Sequence, residues 1–218
     1  MIDIKNIVKG ETLKAEVLIP IKKAQTISKK INIGEDYSLI LLSLYKGTDI
    51  SGENYNEEKF YFLLDGKVKI GGKILKSNEC IIFQKNLLFD IRAENNSYLL
   101  EITIYKKEND EMKNILKGEV IKLKDAISYV DGGISNLDIV SRNDLKIMLM
   151  AFDKGEGLNP HSAPGDALVI PLEGEATLTV DDKSYEVKVG DQLVFPKNIN
   201  HSVKARTKYK MLLILAIE

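Results

Sequence analysis

The heptapeptide KNIVKGE at Lys5–Glu11 returns as KNILKGE at Lys113–Glu119, and this one feature constrains the chain more than any other. The same offset of 108 pairs Ile31 with Ile139, Leu41 with Leu149, Lys46-Gly47 with Lys154-Gly155, and Leu64-Asp65-Gly66 with Leu172-Glu173-Gly174. Further on the offset becomes 112, aligning Phe83-Gln84-Lys85-Asn86 with Phe195-Pro196-Lys197-Asn198 and Ile91-Arg92-Ala93 with Val203-Lys204-Ala205. The chain is a tandem duplication. Its two copies act as each other's control: residues that both keep serve the fold, and residues that one copy alone carries are candidates for chemistry. Both of the chain's histidines, His161 and His201, lie in the second copy.

A repeat near 108 in 218 residues gives two domains, each large enough to bury a core of its own. They are expected at 1–108 and 113–218, with a charged linker near Asn109 to Met112. The 31 basic and 32 acidic side chains are interspersed, so no extended positive field gathers phosphate backbones or anionic lipid. Nucleic acid and membrane are therefore not expected as partners. Asp3, Lys5, Lys9, Glu11, Lys14 and Glu16 interrupt the start of the chain where a secretion signal would need an apolar stretch. A single cysteine, Cys80, permits no intrachain disulfide and suits a reducing compartment, so a cytoplasmic location is expected. Cys80 sits in a strand-like run, Glu79 to Phe83, and reads as a small apolar residue.

Strand signals are dense and helical ones scarce. Thr177-Leu178-Thr179-Val180 and Tyr185-Glu186-Val187-Lys188-Val189 alternate apolar with polar, the two-residue period of a strand with one buried face. Asp65-Gly66, Gly71-Gly72, Glu173-Gly174, Asp181-Asp182 and Gly190-Asp191 supply turn chemistry between such runs. The shared Lys85-Asn86 and Lys197-Asn198 also read as turns, and Glu11 to Ile19 and Val120 to Ile127 as strands. Each copy is expected to be all-β, a sandwich or barrel.

From Gly155 to Ala205 the second copy reads GEGLNPHSAPGDALVIPLEGEATLTVDDKSYEVKVGDQLVFPKNINHSVKA. Here the chain resembles the cupin superfamily, whose first motif runs glycine, His-x-His, Glu and a later Gly, and whose second runs Gly-Asp, an apolar stretch, Pro and His. Gly155, His161 and Gly174 match the first; Gly190-Asp191, Pro196 and His201 match the second. The resemblance spans both copies. It implies two tandem cupin-type β-barrels of the double-stranded β-helix, or jelly-roll, kind, and a bicupin able to form dimers or other homo-oligomers.

The departures from the motif are as informative as the matches. In metal-binding cupins the second His and the Glu of the first motif are ligands, and those slots hold Ala163 and Ala167. Two imidazoles and water make a weak site, since proteins generally fix at least three ligands. Asp166 is the substitute carboxylate that would complete a two-histidine, one-carboxylate set for Fe, Mn, Ni or Zn. Strand parity opposes this, because 161, 163 and 167 share one face and 166 takes the other unless Pro164-Gly165 forms a bulge. The alternative is that Asp166 caps a turn, and Glu58, its repeat partner, favours a structural role shared by both copies.

The first copy has Glu53, Tyr55, Lys59 and Phe89 in the four ligand slots, so no metal is expected there. For function, the resemblance and its departures point to a small molecule held in the second barrel beside His161 and His201. Two other readings stay open: a metal-dependent dioxygenase or isomerase, and a non-catalytic interaction or storage module. Whether the chain is an enzyme is not decided by its sequence.

Overall fold

The computed structural model describes residues 4–33, 36–105 and 112–217. Backbone contacts divide the chain into two compact units, one of Ala15–Lys122 and one of Met1–Lys14 with Leu123–Glu218. Of the expected linker, residues 109–111 lie outside the described residues. The repeat unit and the compact unit thus differ in where they begin. Each arm beginning with the repeated heptapeptide is packed in the unit made mostly of the other copy.

In the unit of residues 15–122, after β1 (Thr12–Leu13) of the leading arm, come β2 (Thr26–Ile33), β3 (Tyr37–Leu44), β4 (Asp49–Tyr55), β5 (Glu58–Asp65), β6 (Lys67–Ile70), β7 (Lys73–Lys76), β8 (Glu79–Phe83), β9 (Leu87–Ala93), β10 (Ser97–Ile104) and β11 (Ile121–Lys122). The other unit continues with β12 (Ile134–Ser141), β13 (Leu145–Phe152), β14 (Gly157–His161), β15 (Gly165–Glu173), β16 (Glu175–Val180), β17 (Lys183–Lys188), β18 (Gln192–Phe195), β19 (His201–Ala205) and β20 (Tyr209–Ile217). Each unit is a six-stranded sheet and a four-stranded sheet. The orders are β11-β8-β5-β10-β3-β2 with β4-β9-β6-β7, and β1-β18-β15-β20-β13-β12 with β14-β19-β16-β17. The arm strands close the six-stranded sheets: β11 pairs with β8, and β1 pairs with β18. All pairings are antiparallel, as the short alternating runs predict, and the architecture is the two-sheet jelly roll.

The alternation does what it predicts in β16, where Ala176 and Leu178 are fully buried and Thr177 and Thr179 are not. With Val187, Leu193, Val203 and Met211 they form the second unit's core, and Leu63, Val68, Leu75 and Ile91 belong to the first unit's. Asn86 and Asn198 both take φ of 60°, the left-handed turn geometry their short polar side chains tolerate. Gly174 has φ of 75°, and a Cβ there would stand 1.9 Å from the Lys208 carbonyl oxygen, so its place in both copies follows from backbone geometry.

Glu11 to Ile19 and Val120 to Ile127 depart from expectation. Each is a two-residue strand followed by a helical turn, Ala15–Leu18 in one case and Leu123–Asp125 in the other. Their apolar residues have mixed spacing because each segment changes structure midway. Cys80 is fully buried opposite Ile121, and burial, with Glu79 adding to it, pushes its thiol up to about 12, which keeps it an unreactive apolar side chain. No helix among the described residues is long and apolar enough to cross a membrane.

Candidate functional site

His161 ends β14 and His201 begins β19, and the register of that pair sets the two residues directly opposite each other. The register shifts between Leu158 and His161, which lets the strand pass Asn159 and Pro160 and still bring the histidine opposite its partner. The ring centroids are 4.5 Å apart at an angle of 59°. His201 is 5% exposed and its ring stacks on Phe195 at 4.2 Å and 11°, while His161 is exposed.

Both rings are held the same way. His161 Nδ1 lies 2.8 Å from the Asn159 carbonyl oxygen, and His201 Nδ1 lies 2.9 Å from that of Ile199. A carbonyl can only accept, so each ring keeps a proton on Nδ1 and, when neutral, offers a lone pair at Nε2. Burial lowers the pKa of His201 below the usual histidine value, the Ile199 carbonyl partly offsets this, and His161 lowers it further. His201 is therefore neutral at pH 7. Its Nε2 presents a lone pair rather than positive charge.

Asp166 does not join them. The pairing of β15 with β20 runs from Gly165–Ile217 through Ala167–Leu215 without a shift, so no bulge re-aims the side chain. A Cβ at Gly165 would stand 1.8 Å from the Ala216 carbonyl oxygen, so the glycine serves close strand approach. The Asp166 carboxylate is buried and accepts the Ile4 N–H at 3.0 Å, the Lys9 ammonium at 2.5 Å and the Lys197 N–H at 2.9 Å. Its oxygens hold the arm and the turn that leads to His201. Among the described residues no group of three or more His, Cys, Asp or Glu side chains is arranged to hold a metal ion. Asp166, expected as a possible third ligand, has its carboxylate engaged by the arm and the Lys197 turn.

The other unit shows what occupies the matching positions. Glu53 lies opposite Phe89 across β4 and β9, as His161 lies opposite His201. Phe89 stacks on Phe83 at 4.0 Å and 14°, the counterpart of His201 on Phe195, and packs at 5.2 Å from Tyr55 and 5.8 Å from Tyr61. Lys59, in the slot of Ala167, reaches Glu101 Oε1 at 2.9 Å and Thr103 Oγ1 at 3.1 Å, with its ammonium 4.2 Å over the Tyr55 ring. The partners Glu101 and Thr103 were not legible in the motif, which ends before β10. The offset of 112, extended to β10, pairs them with Leu213 and Leu215 and would have exposed the contrast.

In the second unit the positions that carry Lys59, Glu101 and Thr103 are thus all aliphatic. Leu213, Leu215 and Met148 pack on its core and stay partly exposed. Beside the histidines, a polar groove of about 410 Å³ lined by Gly155–Pro160 and Ser202–Lys204 runs along the same two strands and includes neither ring.

Comparison with known proteins agrees with this architecture. The Cupin domain family matches residues 148–217. A cupin 2 conserved barrel domain protein from Leptotrichia buccalis is 32% identical, with 98% of this chain and 99% of that one covered at a TM-score of 0.82. Salicylate 1,2-dioxygenase from Pseudaminobacter salicylatoxidans is 10% identical, with 94% and 83% covered at a TM-score of 0.62, a likeness of fold. AerE from Microcystis aeruginosa is 11% identical, with 92% and 96% covered at 0.51. No curated protein matches the chain.

Proposed function

The chain belongs to the cupin superfamily and carries two of its barrels in tandem, and from that premise we propose that the barrel of residues 123–218 binds a small organic molecule at His161 and His201. The observation that carries this reading is the pair of rings whose Nδ1 atoms are both committed to backbone carbonyls, which turns two Nε2 lone pairs to one use. Polar groups of fixed tautomer beside aliphatic walls are the usual makings of a small-molecule site. The other barrel has no imidazole and fills the matching positions with its own side chains. In this reading it serves packing or association, and copies of the chain associate as homo-oligomers. The protein works in the cytoplasm, where its one buried thiol needs no oxidising partner.

A metal enzyme is the second reading, favoured by the same tautomer, since a metal-bound imidazole normally donates its other N–H to a carbonyl or carboxylate. A fold relative is named a salicylate 1,2-dioxygenase, and a mutant of it has been crystallised with gentisate, which is said of that protein. The residues present do not fit a resident Fe, Mn, Ni or Zn ion. The two remaining family slots are Ala163 and Ala167, Asp166 is engaged elsewhere, and two nitrogens fall short of the three protein ligands such sites generally need. No catalytic step is therefore routed through a metal.

Metal analysis and thermal shift on the untagged chain, purified without chelator, decide between the readings. We expect clearly less than one equivalent of transition metal, and a rise in melting temperature with one member of a metabolite panel that His161→Ala or His201→Ala abolishes. Stoichiometric metal lost in both variants would establish the enzyme reading instead. Silence to metals and metabolites alike would leave an interaction or storage module.

A further inference from the structure

The arm that closes the histidine-bearing barrel belongs to the other copy in sequence, and it lies against the neighbours of His201. Residues 4–14 pack in the unit of residues 123–218, although the chain runs on from Lys14 into the unit of residues 15–122. The Gly10 N–H donates to the Val194 carbonyl at 2.8 Å, and Thr12 lies opposite Leu193. A Cβ placed at Gly10 would stand 3.6 Å from Val180 Cγ1 and 3.8 Å from Pro196 Cγ, so the arm runs against both. Val180 is the strand partner of His201, and Pro196 follows Phe195, the ring on which His201 stacks.

The arm also reaches the turn that delivers the ring. Asp166 takes both arm donors, the Ile4 N–H and the Lys9 ammonium, on Oδ2, and its Oδ1 accepts the Lys197 N–H at 2.9 Å. One carboxylate therefore joins arm to turn. The next N–H, that of Asn198, donates at 2.9 Å to the carbonyl of Ala163, two residues beyond His161, and the Ile199 carbonyl accepts from His201 Nδ1. Both histidine-bearing segments are tied to residues 197–199. Without the arm, Asp166 would be a buried carboxylate with no cation, a state that takes up water or a proton rather than persist. Either change weakens its hold on the Lys197 N–H.

The twin's clasp is built differently. Glu58 gives one oxygen to each arm donor, Oε2 to the Met112 N–H and Oε1 to the Lys117 ammonium. A Cβ at Gly118 would meet nothing within 4 Å, and the matching turn leads to Phe89 instead of a histidine. Contacts that both clasps share answer to folding, and those that differ bear on the ring.

We propose that Lys9 and Asp166 are positioning residues for His201: the docked arm fixes residues 197–199, and these fix the ring and the nitrogen that carries its proton. The barrel without histidines is kept because its copy supplies this arm. This rests on the binding assignment above for the use of the ring, not for its geometry. With Nδ1 held by the Ile199 carbonyl, the lone pair stays at Nε2, where the ligand needs it. Once residues 197–199 are released, the proton can move to Nε2 and the acceptor is lost.

The full chain, with ¹⁵N in its imidazoles, is compared at about pH 8, where an ordinary histidine is neutral and the two nitrogen shifts report which one is protonated. We expect His201 in the unsubstituted chain to carry its proton on Nδ1 alone. Lys9→Met should turn this into a mixture of tautomers and speed exchange of the Lys197 amide at least about tenfold, the factor that follows from losing one charged hydrogen bond. Lys9→Arg should restore both. Lys117→Met, which opens the twin's clasp, should leave His201 unchanged, and this separates positioning from a general loss of stability. If the Gly10 amide stays protected in Lys9→Met, Gly10→Val releases the arm by placing a β-branched residue at φ of 76°. A freely exchanging Gly10 amide beside an unchanged His201 tautomer would overturn the proposal. None of these readouts uses a ligand, so a silent metabolite panel removes the binding reading and leaves positioning to be judged by the rings. A metabolite that raises the melting temperature of Lys9→Met as far as that of the unsubstituted chain would refute positioning and leave the binding site standing.

Discussion

Asp166 and Glu58, 108 positions apart, receive the same two partners from the same two arm positions. Asp166 accepts the Ile4 N–H and the Lys9 ammonium, and Glu58 accepts the Met112 N–H and the Lys117 ammonium. Each carboxylate is buried and each clasps the arm whose short strand closes its own six-stranded sheet. Removing the charge leaves the Lys9 ammonium without its partner and turns an amide NH₂ toward N–H donors, the costly half of a broken ion pair. Asp166→Asn is therefore expected to destabilise the unit of residues 123–218 by about 3 kcal/mol, with the fact that Lys9 is partly exposed holding the loss at the low end of such pairs. Lys9→Met should cost less, because the carboxylate keeps two backbone donors. Urea unfolding followed by hydrogen exchange checks this, and equal losses in the two variants would contradict it.

The acid limb of stability is expected to depend on His201. Its folded-state pKa lies below the unfolded value, because burial disfavours the imidazolium, with His161 adding to the effect against the Ile199 carbonyl. The unfolded chain then binds the proton more readily than the folded one. The stability carried by the neutral ring is present above the ordinary histidine range near pH 6.5 and is lost as pH falls from there toward the folded value. His201→Gln should flatten the melting temperature between about pH 7 and pH 5. NMR titration of the ring gives the second check. A midpoint above that of a free histidine would reverse the sign and refute the argument.

Both barrels, their strands and their turns were legible because duplication doubles every local signal. Asn86 with Asn198 and Gly66 with Gly174 mark turns whose φ is positive in each copy. The meeting of His161 with His201 was legible from the family motif, since both fall on its ligand slots. The arms were not legible: Thr12–Leu13 and Ile121–Lys122 are too short to show a period, and their partners lie more than forty residues away. For Asp166 the sequence left two answers. Parity sets Asp166 on the face opposite to 161, 163 and 167, and the ladder runs through Gly165 with no bulge to reverse it.

Gly174 and Gly155 have similar φ, 75° and 84°, but different surroundings. A Cβ at Gly174 meets the Lys208 carbonyl at 1.9 Å, whereas at Gly155 nothing lies within 4 Å. Gly155→Ala is expected to cost only the left-handed backbone penalty, about 1 kcal/mol. Gly174→Ala adds a backbone displacement and should cost about 3 kcal/mol or more. Paired denaturation curves measure the difference. Similar losses would mean that φ alone accounts for both glycines.

The Lys59–Glu101 pair tests whether the first barrel is a filled version of the second. Lys59→Ala leaves the Glu101 carboxylate without its ammonium in an almost closed interior, and also opens a void beneath Tyr55. Breaking one side of a buried pair costs about 3–5 kcal/mol, far above the median surface pair. Replacing both partners with aliphatic groups, as Lys59→Met with Glu101→Leu, removes the charge together with its partner and is expected to recover most of that loss. The second barrel already carries Leu213 in the slot of Glu101, so the fold accepts the exchange. Thr103 keeps its hydroxyl bond to Glu101 only in the single variant. A double-mutant cycle read from urea midpoints should give a coupling energy well above the surface range. A coupling near zero would mean that the pair is held by the barrel and contributes nothing to closing it.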